Sequence, residues 1–219
     1  MKTATQSEFE LVLKKLKHYG LLLESDPRLP SVCTLITGVR LSGSWWSHPQ
    51  AQVIFRVNEQ LVDHSDVLIT KLISGKVTFV HRQLWSEFLA IGAAREQWQT
   101  EGLSPDAQFI LRLLDEQGML RTDKLTWPES AQLSSGAVTR ELEKRLLIHS
   151  TELHTESGAH AKVIETWQRW ANRQGFTTRR ISAQHAKRRI EEKVMALNEE
   201  FGARARLPWN ALQKTKISG

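Results

Sequence analysis

Basic side chains gather on one short helix and two hairpins that the sequence predicts. Arg140, Lys144 and Arg145 lie on an amphipathic helix, away from the apolar face that Val138 and Leu142 form at a spacing of four. Further basic residues surround the two predicted hairpins: Lys71, Lys76, Arg82, His160 and Lys162. Cationic side chains at such positions can neutralise the phosphates of nucleic acid, although the same residues would also suit an ordinary solvated surface.

A second candidate site is the aromatic segment GSWWSHP at residues 43–49. Two adjacent tryptophans cannot both enter one core from a regular helix, so either Trp45 or Trp46 is expected to lie exposed at the mouth of a groove. An exposed indole can stack on a base or wedge into a duplex, and we place His48 on the same contact surface. In the alternative interpretation one indole belongs to the core and the other covers a neighbouring element.

The strands of the second predicted hairpin carry three histidines, His149, His154 and His160. His154 and His160 could face each other across a turn at residues 156–158 and contact DNA there. Two facing imidazoles could also share a metal ion, but no cysteine and no clear third ligand accompanies them. We therefore predict no metal centre and no cofactor. The sequence also lacks a Gly-rich phosphate loop, a His-Glu-x-x-His pair and a Gly-x-Ser-x-Gly elbow.

The elements around the basic helix follow the order of a winged helix-turn-helix. Ser104 caps a helix that Gly118 closes, and a second short helix is predicted at residues 122–125. A third helix begins at Ser134 with the basic residues on it, and two extended runs follow on either side of the 156–158 turn. The pattern predicts a winged-helix domain in which the third helix enters the major groove of DNA.

The segment before this domain has the same organisation. Helices are predicted at residues 7–19, 31–37 and 49–62, the last with Pro49 at its first position, and a hairpin follows at 66–81. Two stretches then correspond in order and pattern, VLITKLISGKVTFVHRQLW and LLIHSTELHTESGAHAKVIETW. Each has an apolar strand, a Ser-Gly turn, a second strand and a tryptophan, which indicates two winged helices in tandem.

The remaining segments are predicted to be helical or loosely ordered. An apolar linking helix is expected over residues 82–100, where it would pack the two modules together. Ser182 opens a long charged helix, and the basic end from residue 203 is expected to be loose apart from a docked segment at 207–209. We therefore predict an α+β fold, mostly α, with modules at residues 1–101 and 102–174 and a basic C-terminal helix and tail at 175–219.

Composition agrees with a polyanion partner and with a cytoplasmic protein. The 219-residue chain has a net charge of +6 and a pI of about 9.6, with the basic excess in its last fifth. No apolar run approaches the roughly 20 residues that a membrane span needs, so no membrane partner is expected. The acidic character of residues 1–10 does not resemble a signal peptide, and the single cysteine, Cys33, rules out an intrachain disulfide.

The tandem winged helices, the GSWWSHP segment and the stretch HTESGAHAKVIETW resemble the AlkZ-related branch of bacterial winged-helix proteins. That group is akin to DNA glycosylases, which remove alkylated or crosslinked purines and hold the hydrolytic water with a Gln-x-Gln or Gln-x-Asp motif. The matching residues here are Gln50 and Gln52, which the resemblance implies to be catalytic, with Trp45 or Trp46 holding the flipped base. The motif follows His48-Pro49 instead of an apolar approach, and the chain has room for two modules where the glycosylases have three.

The predicted function is therefore binding of double-stranded DNA, in the service of excising alkylated or damaged bases. Two other functions fit the same pattern. A transcription regulator without catalysis would bind a specific duplex sequence, usually as a dimer, and its glutamines would be inert. A protein-interaction scaffold would use the same winged-helix surfaces with an affinity that is insensitive to salt. The sequence leaves the oligomeric state and the recognised lesion open.

Overall fold

The structure is a computed structural model that describes residues 4–41, 43–154 and 160–211. Its N-terminal half, residues 4–81, contains α1 (Ala4–Tyr19), β1 (Leu21–Leu23), α2 (Val32–Thr37), α3 (Ala51–Val62), β2 (Val67–Thr70) and β3 (Thr78–His81). Two helices connect the halves, α4 (Trp85–Gly92) and α5 (Gln97–Thr100). The C-terminal half, residues 105–173, contains α6 (Pro105–Gln117), β4 (Met119–Arg121), α7 (Ser135–Lys144), β5 (His149–His154), β6 (His160–Glu165) and α8 (Trp167–Arg173). The chain ends with α9 (Ala183–Phe201) and α10 (Pro208–Ala211).

Each half closes with a three-stranded antiparallel sheet, in the orders β1-β3-β2 and β4-β6-β5. The edge strands β1 and β4 each follow directly on a helix that ends at a glycine, Gly20 or Gly118, with a positive φ. That backbone conformation suits glycine and turns the chain from helix into strand. The predicted α+β, mostly α, fold is confirmed, and in each half helices precede an antiparallel pair of strands.

Buried side chains form two local cores and one shared core. Val12, Leu16 and Ile54 belong to the core of the N-terminal half, and Ile110 and Leu142 to that of the C-terminal half. The shared core draws residues from the first sheet, α4, α8 and α9: Leu68, Val80, Phe88, Trp167, Trp170, Ile190 and Val194. Burial of this apolar surface fixes the two halves against each other.

The long linking helix predicted at 82–100 is wrong, because the chain breaks at residues 93–96. Helix α4 ends at Gly92, where a Cβ atom would lie 2.7 Å from the Trp167 ring of α8, so this position has no room for a side chain. Arg95 has a φ of 49° and pairs with Asp115, and Glu96 then caps α5 with a capping box. The helix predicted at 122–125 is also wrong: Thr122 exchanges hydrogen bonds with Lys162, which extends the pairing of β4 with β6.

The start of α3 differs from the prediction that placed Pro49 at its first position. Ser44 caps a 3-10 turn at Trp45–Ser47, and α3 begins only at Ala51. His48 Nδ1 accepts the backbone N–H of Gln50 at 3.1 Å, and this bond holds the chain in a turn before the helix. The predicted docking of residues 207–209 is confirmed by the burial of Leu207 and Trp209. The turn predicted at 156–158 lies outside the described residues.

Candidate nucleic-acid interface

The tryptophan pair of residues 45 and 46 forms a stack at the surface. Trp45 is buried and Trp46 is 63% exposed, with ring centroids 4.1 Å apart and an angle of 21° between the planes. Phe55 of α3 also packs against Trp46, with ring centroids 5.9 Å apart and an angle of 44° between the planes. One indole therefore lies in the core and the other lies exposed above it, packed against Trp45 and Phe55.

A polar pair supports the buried member of this stack. Asn58 Nδ2 donates to Glu24 Oε1 at 3.3 Å, and Trp45 hydrogen-bonds the same carboxyl group. Burial raises the pKa of Glu24, and the bond from Trp45 opposes that rise. The orientation of Trp45, and through it that of Trp46, is thus fixed by hydrogen bonds as well as by packing.

The two glutamines lie at the start of α3, next to the stack. Gln50 is half-buried in the turn before the helix, and Gln52 is exposed on its outer face. His48 is half-buried and engaged by the backbone of Gln50. The geometry brings these residues to the same end of α3 as Trp46. It leaves Gln52 in contact with bulk solvent.

The three basic residues at α7 have different roles. Arg140 and Lys144 are exposed, while Val138 and Leu142 pack into the core beneath them. Arg145 follows the helix and donates to the carbonyl oxygens of Trp98 and Glu101, among others, at 3.2 and 2.7 Å. Its guanidinium therefore ties the C-terminal half to α5, whereas Arg140 and Lys144 remain available to a partner.

Ion pairs engage the four predicted hairpin cations whose side chains the structure describes: Lys71, Lys76, Arg82 and Lys162. Lys76 pairs with Asp26 at 2.7 Å, and Arg82 lies 3.8 Å from Asp66 and over the Trp85 ring. Lys71 of β2 and Lys162 of β6 both bind Glu143 of α7, at 2.6 and 2.5 Å. The backbones of His154 and His160 are paired in register, and their side chains lie outside the described part of the structure.

A cleft of about 630 Å³ lies between the two sheets, with Glu143 in its lining. Ser150 donates to Glu143 at 2.5 Å, so three donors from both halves converge on one carboxylate. Burial opposes ionisation of this group, but the bonds from Lys162, Lys71 and Ser150 outweigh it and hold the pKa of Glu143 below its usual range. Glu143 links the two halves through its ion pair with Lys71, and no sequence motif marked it.

A second buried carboxylate lies deeper, behind the cleft wall. Glu165 Oε1 accepts from His149 Nδ1 at 3.2 Å and from Arg173 at 2.5 Å. Burial again opposes ionisation, and the hydrogen bonds from His149 and Arg173 lower the pKa of Glu165 below its usual range. His149 and Arg173 both line the cleft. The sequence analysis placed His149 on a strand but gave it no role, because the pairing of His149 with Glu165 depends on strand register.

The described residues favour neither a metal site nor a reactive cysteine. Across residues 4–41, 43–154 and 160–211, no group of three or more His, Cys, Asp and Glu side chains could hold a metal ion. Burial raises the pKa of the Cys33 thiol to about 11, so this side chain stays protonated and packs as an apolar group.

Three comparisons with known proteins were made. The sequence model of a family described as AlkZ related matches residues 6–205. Searches of curated proteins and of solved structures found no match. Within the described residues, no helix has both the length and the apolarity that crossing a membrane requires.

Proposed function

We infer that this chain binds double-stranded DNA and takes part in the repair of damaged bases. The premise is that the chain belongs to the AlkZ-related family. The observation that carries this proposal is the surface stack of Trp46 on Trp45. A rigid, solvent-facing indole is suited to wedge between bases or to fill the gap that an extruded base leaves. Trp46 is 63% exposed while Trp45 beneath it is buried, so the pair presents an aromatic face to solvent.

The rest of the proposed DNA interface is argued from the basic side chains and from the order of the helices and strands. We treat each half as a winged helix, with α7 as the helix that approaches the duplex. Arg140 and Lys144 would then contact phosphates, and Lys71 and Lys162 would contribute less because their ammonium groups are already bound to Glu143. Such contacts position the protein on DNA and make its affinity depend steeply on salt.

The finer proposal is hydrolysis of the N-glycosidic bond of an alkylated purine. The family resemblance points to Gln50 and Gln52 as holders of the water, and both lie at the Trp46 end of α3. A glutamine can orient water but cannot take its proton. A cationic N-alkylated purine leaves readily, so weak assistance can suffice for this substrate class.

The test is duplex binding by fluorescence anisotropy across a salt series, with intact DNA and with DNA that carries an N-alkylated purine. Tighter binding to the damaged duplex, together with release of the free base, is the expected result. Equal, salt-steep binding to both duplexes without release would indicate the regulator instead, which the exposed Arg140 and Lys144 of α7 would also suit. Absence of binding at low salt would overturn the proposal.

A further inference from the structure

We propose that Arg179 and Arg180 form a site for a phosphate group, and that a backbone phosphate of the bound DNA occupies it. The inference rests on the proposed function and adds a contact with the duplex to it. Both arginines belong to the connector between α8 and α9, residues 174–182. They line a cavity of about 190 Å³, the connector cavity, whose other walls are α4 and α8. The connector cavity shares no lining residue with the cleft between the sheets.

The charged residues that line the connector cavity are both cations. Besides Arg179 and Arg180 the lining residues are all neutral, and no carboxylate is among them. Both arginines are exposed, and within the part of the chain that the structure describes neither guanidinium has an ion-pair or hydrogen-bond partner. An anion that enters the cavity would therefore meet two cations that no carboxylate has already engaged.

A carboxylate that lies near the cavity in the chain is engaged elsewhere. Glu87 directly follows the lining residue Ser86 in α4, and it is buried. Arg189 of α9 binds its Oε1 at 2.6 Å. Glu87 thus has a cationic partner of its own, and the positive charge of Arg179 and Arg180 remains for a ligand.

The chemistry and size of the connector cavity favour a single phosphate group. A guanidinium stays charged at any physiological pH, and its fork of N–H donors matches two oxygens of a phosphate. Ser86 and Thr178 add hydroxyl groups to the same lining. A volume of about 190 Å³ is below the roughly 300–1,000 Å³ of pockets that enclose drug-sized ligands. The cavity is therefore suited to one phosphate and not to a whole nucleotide.

Backbone and ring contacts hold the connector in place against α4. The backbone N–H of Arg179 donates to Ser86 Oγ at 3.3 Å. Phe176 packs edge-on against Trp85, with ring centroids 5.2 Å apart, and the guanidinium of Arg82 lies over the same Phe176 ring. A site with a backbone that is already positioned loses less conformational entropy when it binds a ligand.

Trp167 joins the connector cavity to the helix that is proposed to approach DNA. Its ring lines the cavity, and its Nε1 donates to the carbonyl oxygen of Leu146 at 2.8 Å. Leu146 lies two residues beyond Lys144, the last residue of α7. Each DNA strand carries a phosphate about every 3.4 Å along the helix axis, so a backbone held by α7 presents further phosphates to neighbouring sites. This continuity favours a backbone phosphate over a free one.

The experiment removes one phosphate charge at a time from the duplex. Neutral methylphosphonate linkages are placed singly along DNA that carries an N-alkylated purine, and anisotropy gives the affinity of the wild type and of R179Q/R180Q. Some neutral linkages should weaken wild-type binding, and at least one of these should have no effect in R179Q/R180Q. On unmodified DNA at about 0.1 M salt, R179Q/R180Q should bind about 5- to 10-fold more weakly, with a salt slope shallower by about 1.

The matched control is R204Q/R206Q, which removes two other exposed arginines from the segment between α9 and α10. This variant has the same net charge as R179Q/R180Q, so it should stay within about twofold of the wild type and keep every sensitive linkage. Equal weakening of binding in both variants would show that net charge is the cause and would overturn the inference. So would a set of sensitive linkages in R179Q/R180Q that is the same as in the wild type.

Calorimetric titration with inorganic phosphate distinguishes a backbone phosphate from a free one. Weak binding of inorganic phosphate by the wild type is the expected result. Tight binding that is lost in R179Q/R180Q, with DNA affinity unchanged, would assign the cavity to a free anion and overturn the DNA contact. A wild type that binds no duplex even at low salt would overturn the proposed function and this occupant with it, whereas duplex binding with an unchanged linkage pattern overturns this inference alone.

Discussion

At the scale of single residues, the two neighbouring tryptophans should separate binding from stability. Trp46→Ala removes a 63% exposed indole, so we expect little change in the free energy of unfolding and a loss of about 1–3 kcal/mol in DNA binding. Trp45→Ala empties a buried site and should destabilise the fold by about 3–5 kcal/mol. Urea unfolding and anisotropy on both variants check this. Unchanged DNA affinity in W46A would remove the stack from the interface.

Glu143 gives a prediction about pH at the same scale. Its pKa is lowered in the folded state, so its ionised form stabilises the fold above the usual carboxyl range, near pH 4.5. That contribution is lost as the pH falls through the folded-state pKa. Glu143→Gln should therefore lower stability at pH 7 by about 2 kcal/mol and flatten the acid side of the stability curve.

The matched control for Glu143 is Glu152→Gln, because Glu152 is an exposed carboxylate lining the same cleft. Surface carboxylates of this kind contribute little, so E152Q should follow the wild-type curve from neutral to acidic pH. Urea titrations at pH 7 and at the lowest pH at which the wild type stays folded make the comparison on the three proteins. A stability loss that is equal at both pH values would show that packing, and not charge, holds Glu143.

At the scale of elements, α7 should carry a salt-dependent part of DNA binding. Arg140→Glu/Lys144→Glu places negative charge on its exposed side, so we expect weaker binding and a shallower dependence of affinity on salt. Lys14→Glu/Lys17→Glu on α1 makes the same change in net charge at two exposed positions. If both pairs weaken binding equally, net charge and not α7 would be the cause.

Most elements could be predicted from the sequence because their ends carry local signals. Ser31, Ser104, Ser134 and Ser182 each accept a backbone N–H of the first helical turn, as their positions before apolar periodic runs predicted. The close packing of Gly92 against Trp167 could not be predicted, since the two residues are 75 positions apart in the chain. Local patterns describe helix ends, and they contain nothing about which distant ring will cover a glycine.

The candidate site likewise has one feature that the sequence predicted and others that it did not. The sequence identified the tryptophan pair, since adjacent indoles on a short turn must diverge in exposure whatever the rest of the fold. It did not identify the His149 and Glu165 pair or the convergence of Lys71 and Lys162 on Glu143. Those contacts depend on the register of β5 with β6 and on the approach of two sheets. Single positions in the sequence do not encode either property.

At the scale of the whole molecule, the shared core makes two similar halves into one structural unit. Residues of β2, α4, α8 and α9 belong to one buried cluster, and α9 packs along α4. The cleft lies between the sheets of these halves, so its shape depends on that packing. A DNA-binding surface that used Trp46 from one half and α7 from the other would need the same fixed geometry.

The last prediction uses α9 to test whether the two halves unfold as one unit. Ile190 is fully buried in the shared core, and Ile190→Ala should lower the free energy of unfolding by about 2–5 kcal/mol. Met195 lies on the same helix but is 68% exposed, so Met195→Ala should leave stability nearly unchanged. Circular dichroism and tryptophan fluorescence should report one coincident transition in I190A, because both halves lose the same core together. Two separate transitions would show instead that each half keeps an independent core, and that the cleft between them is not held by α9.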